Sequence, residues 1–479
     1  MPAARRTSSA LIALLAITLL SVAPAPARAN GFAPQADTWV ATTGTPTGIN
    51  AGTSCSAPGF VVDGVEDEVE IGYAILDVLP GGTVHLCPGS YRVTTGQSYD
   101  KSFTLAGAGR NSTFVLGTAA FLESGEYDSG GSEFLYTGID STTLSVRDLT
   151  IRGFYGDSDG GYGALYGTDF VLDRVRMDHN GSQDGDGGAI WADSVIATDC
   201  IFEDNYASED GGAIDTGDLT LLRTTLSRNV AGINGGAFTA TGVVSITKSD
   251  FIDNVANNQA GAGFTYSTSA VTIDHARFRG NRATSSHGGA LRLYQSTSVI
   301  KYSSFTNNRA GEAGGAFDAF GGTLKVISSR FYSNRATTNG GAFVSWEQNA
   351  LTVLRSRFLR NQTHNNDGGA IFEHGSVAAP TIRYNVFERN RSVYGTGGGL
   401  ALNAGDVLGG SGPNLLGVTN NTFRYNLAPV GNAIQVYQCE AASAASVRAI
   451  RWKNQILRRG VDASSPRVNF TTVSCGLTG

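Results

Sequence analysis

Apolar and polar residues alternate over short stretches along most of this chain. Val243-Val244-Ser245-Ile246-Thr247-Lys248-Ser249-Asp250-Phe251 and Leu351-Thr352-Val353-Leu354-Arg355-Ser356-Arg357-Phe358 are representative. Alternation with β-branched residues predicts strands that bury one face. Two landmarks recur between them. Gly-Gly-Ala followed by an apolar residue begins at Gly187, Gly211, Gly235, Gly288, Gly314, Gly340 and Gly368, with degenerate copies at Gly261, Gly397 and Gly431. Phe-x-x-Asn pairs Phe202 with Asn205, Phe251 with Asn254, Phe278 with Asn281, Phe305 with Asn308, Phe331 with Asn334, Phe358 with Asn361, Phe387 with Asn390 and Phe423 with Asn426. Leu226 with Asn229 is a variant, and the spacing is 24 to 29 residues across most of the array.

The repeat has no Leu-x-x-Leu-x-Leu run and no helical unit of ~33 residues, which excludes leucine-rich and helical solenoids. It predicts an all-β fold, a single-stranded right-handed parallel β-helix with capped ends, each strand bonded to its equivalent one coil along at ~4.8 Å. In that geometry the Phe column stacks inside the coils. The Asn column forms a ladder at a bend, each amide donating to one neighbour and accepting from the other. The Gly pair supplies either backbone conformations closed to other residues or a close approach of chain and core.

An open solenoid exposes strand edges, so its ends need covering. Residues 30–79 are expected to form the N-terminal segment and cap, with helix-like spacing at Val69, Ile71, Ile75 and Leu76. Residues 80–434 form the β-helix in this reading, and residues 435–479 the last coil and a disulfide-linked C-terminal cap, with a strand over Val447–Leu457. Residues 1–29 read as a Sec-type signal peptide: Arg5 and Arg6 precede a 13-residue apolar run, Ala10–Val22, and Ala27-Arg28-Ala29 closes it. The run falls short of the ~20 residues of a membrane-spanning helix, and no later segment approaches that length. A secreted or cell-surface chain favours paired thiols. Of the three connectivities open to Cys55, Cys87, Cys439 and Cys475, proximity favours Cys55 with Cys87 and Cys439 with Cys475. Cys200 is expected as a buried apolar residue. With 63 glycines, 16% charged residues and a net charge of −6, the chain reads as turn-rich and folded, and no nucleic acid is expected as partner.

The paired tetrapeptides over roughly residues 187–434 resemble the repeats of the chlamydial polymorphic outer-membrane proteins and of related bacterial exported β-helix proteins. The stretch Gly81-Gly82-Thr83-Val84-His85-Leu86-Cys87-Pro88-Gly89-Ser90-Tyr91, then Phe103 to Gly109, is similar to the opening coils of pectin-lyase-like right-handed β-helices. The first resemblance implies adhesion. Members of that family also carry a C-terminal outer-membrane barrel, whereas no series of ~10-residue alternating strands follows Cys475. The second resemblance implies the fold, whose enzymes act on polysaccharides in a groove along one outer face. The polygalacturonase markers Asn-Thr-Asp with Gly-His-Gly, and those of pectate lyases, are absent.

Counting outward positions after Gly-Gly-Ala gives Trp191, Asp215, Thr239, Thr265, Arg292, Asp318, Val344 and Phe372 in successive coils. Two residues on come Asp193, Gly217, Thr241, Ser267, Tyr294, Phe320, Trp346 and His374. Tyr294, Phe320 and Trp346, continued by Phe372 and His374, are expected as an external aromatic column, either stacking on sugar rings or covered by a loop or a second copy. Arg292, Asp318, Glu347 and Glu373 are expected alongside it. Hydrolysis needs two carboxylates flanking a glycosidic bond; Asp318 and Glu373 are the candidates, with Arg292 or His374 as helpers. No cofactor is expected beyond Ca²⁺, for which Asp184, Asp186, Glu209 and Asp210, together with Asp157 and Asp159, supply hard oxygen ligands. Asp before Gly is equally ordinary turn chemistry. The sequence thus reads as an extracellular or surface-associated binding or adhesion protein whose partner is a polysaccharide or cell-surface glycan. A polysaccharide lyase or glycoside hydrolase, and an architectural spacer, are the alternatives.

Overall fold

The computed structural model describes residues 35–437, apart from 45, 47–51, 119–132, 140, 157–161, 268–269, 377, 379 and 404–416, together with the backbone of 456–458 and 468–470. Its repeating unit is one coil of three strands. In a representative coil these are β1 (Ile190–Thr198), β2 (Ile201–Glu203) and β3 (Tyr206–Ala207), after which β4 (Ile214–Leu222) begins the next coil. β1 and β4 pair in parallel, Ile190 against Ile214 through Thr198 against Leu222. Repetition gathers the strands into three parallel sheets of 24, 14 and 10 strands, here called the first, second and third. The chain is a right-handed parallel β-helix, as its alternation predicts.

Each landmark has a physical task. The second-sheet phenylalanines point inward and stack: Phe251, Phe278, Phe305, Phe331, Phe358, Phe387 and Phe423 lie with successive ring centroids 4.5–5.0 Å apart and ring planes within 9° of parallel. The asparagines turn the corner from the second to the third sheet. Asn308 Nδ2 donates to Asn334 Oδ1 at 2.9 Å and to the Phe278 carbonyl at 3.0 Å, while Asn308 Oδ1 accepts from the backbone N–H and the side chain of Asn281, both at 3.0 Å. The same pattern runs from Asn180 to Asn426. Every amide in the middle of the array is therefore satisfied in the dry interior.

The two readings of the Gly pair both hold, one for each glycine. Gly288 has φ +73°, a left-handed conformation. A Cβ on Gly289 would lie 2.0 Å from the Gly315 carbonyl oxygen of the next coil. At the degenerate copy Ala260 takes the left-handed position, with φ 58°, and Gly263 stands where other coils carry a large apolar residue, because the Phe238 ring fills that space 2.1 Å from where a Cβ would sit. Phe264 consequently faces outward in register with Arg292, which corrects the placement of Thr265 and, two residues on, of Ser267; Tyr266 takes that second position.

A second ladder turns the corner from the first to the second sheet. The backbone N–H groups of Ser303 and Ser329 donate to the hydroxyls of Ser329 and Ser356, and Ser356 N–H donates to Asn385 Oδ1. Cys200 holds the equivalent place, its thiol donating to the Thr198 carbonyl as Ser303 donates to that of Lys301. It is free and buried, and burial pushes its pKa up to about 12.

At the N-terminal end, the strand Gln35–Ala41 pairs in parallel with Val78–Leu86, so it already belongs to a coil. The helix α1 (Glu68–Asp77) buries Ile71, Ala74 and Ile75, while Val69 and Leu76 face solvent, off that stripe. Cys55 and Cys87 are disulfide-bonded. Residues 1–29, Cys439, Cys475 and most of Val447–Leu457 lie outside the described residues; the backbone of Ile456–Arg458 and Val468–Phe470 pairs in parallel with the preceding coil. Among the described residues no helix is long and apolar enough to cross a membrane.

Candidate functional site

The outer side of the first sheet follows from strand alternation. Arg292, Asp318, Val344, Phe372 and Ala401 are in register in consecutive coils, and so, two residues on, are Tyr294, Phe320, Trp346 and His374. The first column points away from the solenoid core, yet it is not exposed. Asp318 keeps 1% of its surface, Val344 none and Phe372 5%. The turn ahead of each Gly-Gly pair folds alongside this column, and Ala313 packs with Val344, Phe372 and Ala401 in a small second apolar cluster beside Trp346. Phe372 is thus cluster material, while Tyr294, Phe320, Trp346 and His374 are half-buried with one edge open. Tyr294 and Phe320 stack at 5.3 Å, and Trp346 leans on Phe372 and His374, each at 5.3 Å.

Arg292 and Asp318 meet beneath this aromatic edge. Their charged ends are 3.5 Å apart, beyond the roughly 2.7–3.2 Å of a good hydrogen bond. Neither Asp318 oxygen makes a well-formed hydrogen bond, the Trp346 indole N–H offering a loose contact, and Arg292 Nε and Nη1 and Nδ1 of His287 and of His374 make none. Burial pushes the Asp318 carboxyl up, against the opposing pull of Arg292, His287 and the Trp346 indole N–H. Buried polar atoms are normally paired, so this group is a place among the described residues where a polar ligand would complete hydrogen bonds.

Glu373 does not join them. It lies in register with Ser345 and Leu402, between outward Phe372 and His374, and so points into the solenoid, where it is 2% exposed and accepts the Ser376 N–H at 3.0 Å. Burial raises its pKa to about 7. The expected carboxylate pair is therefore split across the sheet, Asp318 outside and Glu373 inside. Glu347 is exposed, at a left-handed position following Trp346.

The acidic turns behave differently from one another. Asp184 and Glu209 are exposed. Asp186 accepts the Asp210 N–H at 2.8 Å, and Asp210 accepts the Asn234 N–H at 2.9 Å and the Tyr266 hydroxyl at 2.8 Å. Among the described residues no group of three or more His, Cys, Asp and Glu is placed to hold a metal; Asp157 and Asp159 lie outside them. Burial raises the pKa of Asp186 and, strongly, that of Asp215, and the two neighbouring carboxyls act on one another. Beside this pair Tyr162, Tyr166 and Trp191 form an aromatic wall, with centroids 4.1 and 5.1 Å apart. The wall was legible as one more degenerate landmark, Tyr162-Gly163-Ala164-Leu165, which sets Tyr166 in register with Trp191.

Comparison with known proteins agrees with this architecture. Residues 234–423 match the right handed beta helix region. Residues 199–217 of this β-helix match the Chlamydia polymorphic membrane protein repeat, within the stretch whose tetrapeptides carry that resemblance. No curated protein sequence matches the chain. Among solved structures it is similar to the A-module of a mannuronan C-5 epimerase from Azotobacter vinelandii, with 14% identity, 85% of this chain and 95% of that chain covered, and a TM-score of 0.33. A GH87 alpha-1,3-glucanase catalytic domain in complex with nigerose is similar at 11% identity over 86% of this chain and 67% of that one, TM-score 0.41. DFA-IIIase from Arthrobacter chlorophenolicus is similar at 10% identity over 74% and 86%, TM-score 0.31.

Proposed function

We propose that this β-helix is an exported, surface-associated binding protein that holds a glycan along the outer edge of its first sheet. One observation carries the reading: Arg292 and Asp318 keep buried polar atoms without well-formed hydrogen bonds directly beneath the half-open column of Tyr294, Phe320 and Trp346. Flat rings recurring at ~4.8 Å suit sugar rings lying along successive coils, and a buried ion pair with incomplete hydrogen bonding gains from hydroxyls that complete it. The Cys55–Cys87 bond supports an oxidising location. The test is retention on a panel of immobilised polysaccharides. Replacing Tyr294, Phe320 and Trp346 together with Ala is expected to weaken retention at least tenfold; equal retention of wild type and variant on every member of the panel removes the proposal. A wild type held by none of them leaves the architectural spacer as the reading.

Hydrolysis is the second reading, favoured by the position of Asp215, in register with Trp191 beside the wall of Tyr162, Tyr166 and Trp191, where burial raises its pKa and that of Asp186. In it the protonated member serves as general acid. New reducing ends released from a panel polysaccharide, and lost in Asp215→Asn, are the expected signature; no release by the wild type across the panel ends this reading.

A further inference from the structure

The third sheet carries a feature unconnected with the outer edge of the first. Its outward position is held by Tyr206, Val230 and Val255 in earlier coils, and then by Arg282, Arg309, Arg335, Gln362 and Arg391, each in register with the next. All four arginines are exposed. None of them makes an ion pair among the described residues, although arginines elsewhere do so regularly: Arg174 with Asp148, Arg223 with Asp199, Arg228 with Asp204 and Arg277 with Asp250 pair across neighbouring coils.

The reason is a segregation of charge along the chain. Residues 276–400 hold fifteen Lys and Arg against six Asp and Glu, nine net positive charges in a chain whose total is −6. None of the six acids forms an ion pair with the ladder. Asp318 and Glu373 are buried, Glu312 pairs with His287, Asp367 caps Thr396, Glu388 pairs with Arg389 and Arg424, and Glu347 follows the first-sheet aromatic column. Like charges directly opposite one another in a sheet are destabilising. Four arginines in five consecutive coils of one face, with no carboxylate among the described residues paired to them, point to an anion from outside the chain.

We infer that the third-sheet ladder docks a linear polyanionic polysaccharide, one bearing a carboxylate or sulfate on successive sugars, laid along the stacking direction of the coils. Neighbouring arginines repeat at ~4.8 Å and the ladder spans four such steps, roughly 19 Å. A straight file of this pitch differs from the curving path of duplex DNA, whose phosphates recur every ~3.4 Å along each strand. No row of aromatic rings runs along the ladder, as a single strand of stacked bases would require. A shallow groove lined by Arg309, Arg335, Thr337, Gln362 and His364 adjoins the arginines. At its far side Tyr394, 70% exposed, meets His364 edge-on at 5.1 Å, offering one flat surface to a sugar ring.

The experiment uses the full chain against polygalacturonate, dextran sulfate and uncharged dextran at 50 and 200 mM salt, with duplex DNA as a fourth probe. The expected result is binding to at least one of the two acidic polysaccharides and not to dextran, weakening on the order of tens of fold across that salt range, as counterion release gives for about four contacts. Preference between polygalacturonate and dextran sulfate tells carboxylate from sulfate. Changing Arg282, Arg309, Arg335 and Arg391 together to Gln is expected to weaken this binding at least tenfold, with the melting temperature checking the fold; changing the same four to Lys restores most of it. Wild-type binding to neither acidic polymer, equal binding of the Gln variant, or tighter binding of DNA than of both polysaccharides overturns the inference. Replacing Tyr294, Phe320 and Trp346 with Ala leaves this binding intact, which keeps the outcome separate from that of the first-sheet edge.

Discussion

Glu373 sits where equivalent coils place Ala319, Ser345 and Leu402, and burial moves its pKa from 4.5 to about 7. Its folded-state pKa is therefore above its unfolded one. Between pH 4.5 and 7 the native chain holds a proton that the unfolded chain has released, so stability falls as pH rises through that window and levels off above it. Glu373→Gln keeps the size and removes the proton. Relative to wild type, the variant is expected to gain on the order of 3 kcal/mol on going from pH 4 to pH 8, read from urea midpoints at several pH values. A difference between the two proteins that stays constant with pH sinks the assignment. Cys200 offers a second check at this scale. Because its thiol takes the place of a ladder serine, Cys200→Ser should cost less than about 1 kcal/mol despite complete burial, and the native thiol should be inert to a thiol-specific dye; a loss of several kcal/mol would show that the hydroxyl ladder does not extend to this coil.

At the scale of the strand and its corner, the Asn ladder concentrates the energetic risk. Asn308→Ala removes the acceptor for two donors of Asn281 and the donor to Asn334 and Phe278. Several buried groups would lose partners at once, so the expected loss is on the order of 3–5 kcal/mol, measured by urea unfolding; under about 1 kcal/mol would mean that water enters the corner. This ladder and the Phe stack could be read from the sequence because each asks the same residue of every coil. Where a coil departs from the pattern, counting fails. Gly261-Ala262-Gly263-Phe264 slips by one residue because the neighbouring Phe238 ring occupies the apolar slot. Counting places Glu373 alongside the outer aromatic column, whereas adjacent residues of a strand face opposite ways and Phe372 takes the outer side. The first outer column was expected to be exposed, and the turn that covers it carries no signal except the small side chain of Ala313. The arginine ladder left no trace in any run of basic residues, since its members are 26, 27 and 56 residues apart and meet only after coiling.

For the molecule as a whole, the Cys55–Cys87 bond closes a loop across 32 residues where the coils begin. Loop-closure entropy gives it a stabilising effect on the order of 3–4 kcal/mol, so reductant should lower the unfolding midpoint; an unchanged midpoint in reductant would show that α1 and its burial of Ile71 and Ile75 hold this end unaided. The corners carry a consequence of their own. Lys248, Asp253, Tyr302, Asn307, Ser328, Ser333, Arg355 and Arg360 all adopt left-handed φ near +50°, a conformation that costs side-chain-bearing residues roughly 1–2 kcal/mol each. That cost falls on every winding separately, whereas the ring stacking and amide bonds that offset it arise only between windings. A lone winding is thus internally unfavourable and a pile of them is not, so shortening the array stepwise should reach a critical number below which order vanishes all at once.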